Sequence, residues 1–315
     1  VTGSERAAAL VETACVRETT PPDASATSTR RDDRQFAATA IGVLVLSRDC
    51  DANALRTALQ DHDPGARLLV VVVGAGSALT LKDAAVLMQS GADEVLDEQT
   101  APEAASRAAM VVRRWCEVEE AWDDGNEWSH AVGESRAWRT ALREVVEAAR
   151  FGDGPILIGG ESGTGKQLLA EVAHRELTKG GKAKGDLVTL DCTTLQRELS
   201  GSELFGHVKG AFTGATADRE GAIAAAHGKV LFLDEIGDLA LDVQASLLRA
   251  IQEQKYKPVG SDKWSTSEFR LICATHKDLQ EEVAAGRFRL DLYYRICGNV
   301  CRAPALRERL EDVPA

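Results

Sequence analysis

The chain is poor in the features that would place it in a membrane, outside the cell or along a nucleic acid. Its longest uncharged run, residues 68–81, holds two glycines, a serine and a threonine and is too short to span a bilayer. A secretory leader is not expected, because the apolar residues 7–16 are interrupted by Glu12. Basic charge is short as well. Lys and Arg number 37 against 49 Asp and Glu, a net −12. That balance opposes a chain built to coat nucleic acid or an anionic surface, although a local basic patch stays open. The seven cysteines include no Cys-x-x-Cys pair. A zinc site is therefore not expected, and an odd count without a leader reads as reduced thiols in the cytoplasm. What remains is an ordinary globular composition, and 315 residues leave room for two domains.

Residues 1–38 are rich in Ala, Thr, Ser and Arg without periodicity and read as a disordered arm. Residues 39–120 read as a small α/β unit. Ile41 to Leu46 and Leu68 to Val73 have buried-strand character, helices are expected near 54–59 and 82–90, and Gly91-Ala92-Asp93-Glu94 leads into a last strand. Ala108, Val111, Trp115, Val118 and Trp122 are spaced 3-4-3-4. That seam suits either a last helix packed on its own domain or a dimerising linker. Residues 131–315 form the main domain. Strands are expected at 156–158, 187–190, 230–233, 269–274 and, more weakly, 296–301, with helices between them. This alternation predicts an α/β fold with a parallel sheet covered by helices on both faces.

Gly160-Glu161-Ser162-Gly163-Thr164-Gly165-Lys166 follows an apolar strand and opens a helix. Glycines let backbone N–H groups curl around phosphate oxygens, the helix N-terminus adds positive field, and the lysine reaches the β- and γ-phosphates of ATP. Its three fixed positions occur by chance in roughly one chain in ten of this size, so the pattern alone decides little. The alternative is a glycine-rich turn before a surface helix. Asp234-Glu235 end a buried strand downstream, where one acid can hold Mg2+ and its neighbour can polarise water. Between these elements stands Gly210-Ala211-Phe212-Thr213-Gly214-Ala215. Six specified positions arise by accident with odds on the order of 10⁻⁵, so this hexapeptide decides most.

With those segments, residues 133–314 resemble the AAA+ ATPase domain of bacterial enhancer-binding proteins, the activators of sigma-54 RNA polymerase. Further matches are Glu203 to His207, Leu247-Leu248-Arg249, residues 286–295 and Leu306-Arg307-Glu308-Arg309. The resemblance implies that Gly160, Glu161, Ser162, Gly163, Thr164, Gly165, Lys166 and Gln167 bind ATP. It implies Asp234 as the Mg2+ ligand and Glu235 as the group that activates water. Residues Gly210, Ala211, Phe212, Thr213, Gly214 and Ala215 would tip a loop touching sigma-54. Arg289 and Arg295 would reach the nucleotide of a neighbouring subunit in a ring, typically a hexamer; the alternative for each is a surface ion pair. The order of residues 39–120 resembles, partially, a receiver domain of two-component systems. Ser47-Arg48 stand where its acidic pair belongs and Asp97 or Glu98 where its lysine belongs, so the unit is expected to be degenerate and not phosphorylated.

The departures from the family pattern have consequences. Gln167 replaces a Glu. Asp191 stands for an Asn that restrains the catalytic Glu, and an Asp there would repel Glu235. His276 stands for an Asn that senses the γ-phosphate. Family members continue past the residue matching Pro314 into a helical lid and a helix-turn-helix, so the expectation is a truncated domain that does not read DNA by itself. Two functions stay open: an ATP-hydrolysing sigma-54 activator, or a non-hydrolysing protein that binds ATP, sigma-54 or mixed rings.

Overall fold

The computed structural model describes residues 41–47, 67–74, 77–100, 103–123, 131, 133–195 and 199–313. The expected arm and the helix near 54–59 lie outside these residues. Two compact units divide at Asp124/Gly125.

In the first unit, β1 (Ile41–Ser47), β2 (Arg67–Val73) and β3 (Glu94–Asp97) pair in parallel in that order. Every residue of β2 is buried, because a central strand covered on both faces has no solvent side. Its side chains alternate between two cores. Leu69, Val71 and Val73 join a cluster with α2 (Ala104–Asp123), while Leu68, Val70 and Val72 join one with Leu87 of α1 (Leu81–Gln89). Ala108, Val111 and Trp115 of the 3-4-3-4 seam lie in that first cluster, and Val118 is buried. The seam over these residues is thus the last helix packing on its own sheet.

In the second unit five parallel strands run in the order β10 (Asn299–Arg302), β4 (Ile156–Gly159), β9 (Arg270–Thr275), β6 (Val230–Asp234), β5 (Leu187–Asp191). The three central strands have the buried, near-continuous apolar character expected of such a sheet, while burial is partial in the edge strands β5 and β10. Four strands fall where the sequence puts them. The fifth does not begin at Ile296. That residue ends helix α9 (Leu290–Ile296), because Leu292 and Ile296, one turn apart, face the core beside Leu247 of α7 (Leu241–Glu253). The strand starts only at Asn299, past Gly298.

On one face Leu231, Leu233, Leu271 and Cys273 pack with Leu204 of α5 (Ser200–Phe205), Leu247 and Leu292. Helices α3 (Arg136–Phe151) and α4 (Lys166–Lys179) pack against each other elsewhere in the unit. The short α6 (Ala222–Ala225) and α8 (Leu279–Ala284) and a two-stranded ribbon, β7 (Lys255–Tyr256) with β8 (Ser265–Thr266), complete it. The consequence for function is the placement of strand ends. The loops after β4, β6 and β9 emerge from one edge of the sheet, the edge at which parallel α/β sheets bind ligands.

Candidate nucleotide site

The turn from β4 into α4 is held open by glycines. Gly165 adopts φ 97°, and a Cβ on it would sit 3.1 Å from the Trp138 ring. Gly160 lies so close to Ala303 that a Cβ would come within 2.7 Å of its carbonyl oxygen. Lys166 opens the helix and is buried. Its Nζ donates to the carbonyls of Gly160 (3.0 Å) and Glu161 (3.2 Å) and lies 3.1 Å from Glu235 Oε1.

Glu235 leaves β6 in the left-handed conformation, φ 53° and ψ 50°, which costs a non-glycine residue roughly 1–2 kcal/mol. Such strain persists where surrounding contacts over-determine it, and here they do. Oε1 faces Lys166, while Oε2 accepts the backbone N–H of His276 (2.9 Å) and lies 2.7 Å from His276 Nδ1. A carboxylate cannot donate, so Nδ1 carries the proton. Burial pushes Glu235 up, but the hydrogen bonds from the His276 backbone, Lys166 and the His276 ring outweigh it and hold the carboxyl below its ordinary 4.5. Asp234 goes the other way. Burial and the adjacent Glu235 charge raise it, although its Oδ1 accepts the Glu235 N–H at 3.0 Å. A cation beside Asp234 would relieve that cost, which suits a Mg2+ ligand. Among the described residues no group of three or more His, Cys, Asp or Glu could hold a metal ion. One carboxylate plus substrate phosphates is the way Mg2+ is commonly held.

The departures are placed as follows. Asp191 pairs in register with Asp234 and caps the turn Cys192–Thr194, accepting from Thr193 N (2.8 Å) and Oγ1 (2.7 Å). Its charge acts on Asp234, where it adds to the upward shift. His276 contacts Glu235 directly. Gln167 Nε2 reaches along the helix to Glu171 Oε1 at 3.2 Å. Glu161 is gripped by Arg307, and Thr164 Oγ1 donates to Glu161 O.

The hexapeptide closes on itself. Gly210 N–H donates to Ala215 O (2.8 Å) and Ala215 N–H to Phe212 O (3.0 Å), leaving Thr213 and Gly214 exposed. Gly210 and Gly214 both take positive φ. Below it, His207 pairs with Arg219, and Val208 and Gly206 bond to Val259 of the segment between β7 and β8. The Phe212 ring meets His207 edge-on at 5.0 Å, and His207 Nδ1 lies 2.6 Å from Ser202 Oγ. The loop is thus a stalk gripped by a second segment.

Neither arginine joins Lys166 within one chain. Arg289 pairs with Asp291 at 2.7 Å, the surface ion pair allowed for it. Arg295 lines a cavity of about 700 Å³ with Pro155, Lys229 and Arg270, residues at the N-terminal ends of β4, β6 and β9. That edge is opposite the one carrying Lys166. Sequence reasoning missed Gln244, whose fully buried amide donates to Leu239 O and Arg287 O and accepts from Arg289 N, so fixing the segment before α9. A glutamine inside the apolar spacing of α7 was the available signal.

A fold with a phosphate-type turn, a strand-end acid pair and this stalk defines a class, and comparison with known proteins supplies it. The family described as the sigma-54 interaction domain matches residues 131–301, and the chain belongs to that family. The transcriptional regulatory protein ZraR of Salmonella typhimurium is 49% identical over 183 residues, covering 58% of this chain and 41% of ZraR. The response regulator protein PilR of Pseudomonas aeruginosa is 46% identical over 183 residues, covering 58% and 40%. The chain therefore spans about two fifths of the length of these relatives. Among solved structures, NtrX from Brucella abortus in complex with ADP is similar with a TM-score of 0.53 and 27% identity, over 86% of this chain and 58% of NtrX. The main unit is an AAA+ phosphate-loop fold, as its sequence implies.

Proposed function

We propose that residues 131–315 bind and hydrolyse ATP with Mg2+ and couple turnover to sigma-54 RNA polymerase through the loop tipped by residues 210–215. The observation that carries this reading is the convergence of Lys166, Asp234, Glu235 and His276 at one edge of the sheet. Lys166 would exchange its carbonyl partners for phosphate oxygens and, in doing so, release Glu235 Oε1. Glu235, held by His276 from the other side, would then orient and polarise the attacking water. Asp234 would hold Mg2+, which neutralises charge on the phosphates. NtrX has been solved in complex with ATP as well as ADP, which supports the nucleotide. The match of residues 131–301 to the sigma-54 interaction domain supports the partner. Arg289 and Arg295 would serve a neighbouring subunit's nucleotide in a ring, and the place of Arg295 at the sheet edge opposite Lys166 supports this. No described helix is long and apolar enough to cross a membrane, and we place the protein in the cytoplasm with its polymerase partner.

We read residues 39–120 as a degenerate receiver-like unit joined by a helical linker. Its three described strands pair in parallel in chain order, as strands of a flavodoxin-like sheet can. Of the three described strands of this unit only β3 ends in an Asp, and Asp97 is buried and accepts the N–H groups of Leu79 (2.6 Å) and Gln99 (3.1 Å). A carboxylate so engaged is a structural brace between the end of β3 and Leu79.

One observation favours the non-hydrolysing alternative: Gln167 turns to Glu171 and Asp191 is committed to Thr193, so neither replaces the family's residue in kind. ATPase assays separate the readings. Lys166→Ala is expected to abolish binding of a fluorescent ATP analogue, and Glu235→Gln to preserve binding while stopping turnover. Tight nucleotide binding by the wild type with no turnover at high protein concentration would select the alternative.

A further inference from the structure

The chain returns over its own phosphate loop after β10. Ala303 N–H donates to Gly159 O at 2.8 Å. Arg307 then meets Glu161 fork to fork, Nη1 to Oε2 at 2.8 Å and Nη2 to Oε1 at 2.5 Å. Arg309 Nη2 donates to Thr164 O at 2.8 Å, and its guanidinium lies 4.3 Å from the centre of the Trp138 ring. Trp138 is almost fully buried, and its indole backs Gly165. The far end is tied down by Asp312, whose carboxylate accepts Glu134 N (2.6 Å), Ser135 N (2.7 Å) and Ser135 Oγ (2.6 Å) at the start of α3.

Glu161, Thr164 and Gly165 are therefore shaped from outside the loop by one segment. The contact at Thr164 bears on phosphate chemistry directly. A trans peptide is planar with C=O and N–H on opposite sides, so holding the Thr164 carbonyl toward Arg309 turns the Gly165 N–H away from it. A phosphate loop binds through such N–H groups, and fixing them beforehand removes an ordering cost from binding. Neither arginine is among the residues that the sequence marks for the site.

We propose that Arg307 and Arg309 are positioning residues for nucleotide binding, acting through Glu161 and through Thr164 and Trp138. The proposal rests on the reading of residues 160–166 as a phosphate site, and its test keeps the two apart.

The affinity of the full chain for a fluorescent ATP analogue with Mg2+ is titrated for the wild type, Arg307→Ala, Glu161→Ala, their double variant, the exchange Glu161→Arg with Arg307→Glu, Arg309→Ala and Arg309→Lys. Lys166→Ala serves as reference, and thermal melts are recorded for each. The Arg307–Glu161 pair is exposed, so each single loss is expected to raise Kd by about two- to fivefold. The double variant should be no worse than either single one, and the exchange should recover most of the affinity. Arg309→Ala is expected to raise Kd by about tenfold, because a partly desolvated cation–π contact and a carbonyl partner are lost together. Arg309→Lys, which keeps charge without the planar fork, should recover only part. Lowered melting temperatures with unchanged Kd in both the Arg307 and the Arg309 variants would overturn the proposal while leaving the phosphate site standing. Additive effects in the Glu161/Arg307 cycle would remove the pair from it. Equal binding by wild type and Lys166→Ala would instead remove the phosphate-site reading.

Discussion

At the scale of single residues the site turns on one carboxylate pulled by opposing effects. Glu235 is largely buried, which favours its neutral form, yet His276 and Lys166 both stabilise the anion and win. Asp234, one residue away, is raised, because burial and the Glu235 charge outweigh the Glu235 N–H and Lys166. Two adjacent acids thus have their proton affinities pushed apart, a pattern that gives neighbouring carboxyls different roles in a site. The sign for stability follows. A carboxyl depressed in the folded state contributes stability that is present above its unfolded value and is lost as pH falls through the folded one. The difference in unfolding free energy between wild type and Glu235→Gln is therefore expected to be largest near neutral pH and to shrink below the ordinary 4.5. Urea melts of both proteins from pH 7 to pH 3.5 read it directly. A difference that is flat with pH would show that His276 and Lys166 do not hold the anion.

At the scale of elements the stalk carrying the hexapeptide depends on its neighbour. Gly260, between β7 and β8, has φ 79°, and a Cβ on it would lie 2.6 Å from Ala211 Cβ. Gly260→Ala is expected to cost about 1–2 kcal/mol from the left-handed backbone alone. Because the methyl group would press on Ala211, it should also weaken nucleotide-dependent association with sigma-54 while leaving ATP affinity within about twofold, since nothing at the phosphates moves. Pull-down with sigma-54 beside an ATP titration distinguishes this from general unfolding; unchanged association would show that the contact does not set the loop.

The same stalk shows what a linear reading reaches. The hexapeptide, the phosphate turn and the acid pair are contiguous in sequence, so their chemistry is visible there. The grip of Val259 on Val208, the Gln244 amide behind Arg289 and the Arg309–Trp138 stack each join residues tens to more than a hundred positions apart. No local periodicity encodes such pairs. The misplaced start of β10 has a local cause instead: Ile296 and Val300 are both apolar, and an apolar residue at a helix end looks like the first residue of a strand.

At the scale of the whole molecule the main unit presents two chemically different edges of one sheet. Lys166 and Glu235 stand at the strand ends that lead out of β4 and β6, while Arg295 lines the cavity at the opposite ends, with Lys182, Lys229 and Arg270. Two complementary edges that cannot meet within a chain can meet between chains, through a head-to-tail contact that closes into a ring. In that arrangement Arg295 of one subunit stabilises charge on the nucleotide of the next, and its loss is expected to cost on the order of 10³ in turnover. The arrangement also predicts complementation. Glu235→Gln keeps its arginine and lacks its own base; Arg295→Ala has the reverse defect. Each alone is inactive, but in an equimolar mixture roughly a quarter of head-to-tail interfaces pair an intact base with an intact arginine. An ATPase titration of the mixture should therefore rise to about a quarter of wild-type activity, with a concentration dependence that follows assembly. A mixture no more active than its components, while sedimentation shows mixed rings, would place Arg295 outside the reaction and leave its cavity to another use.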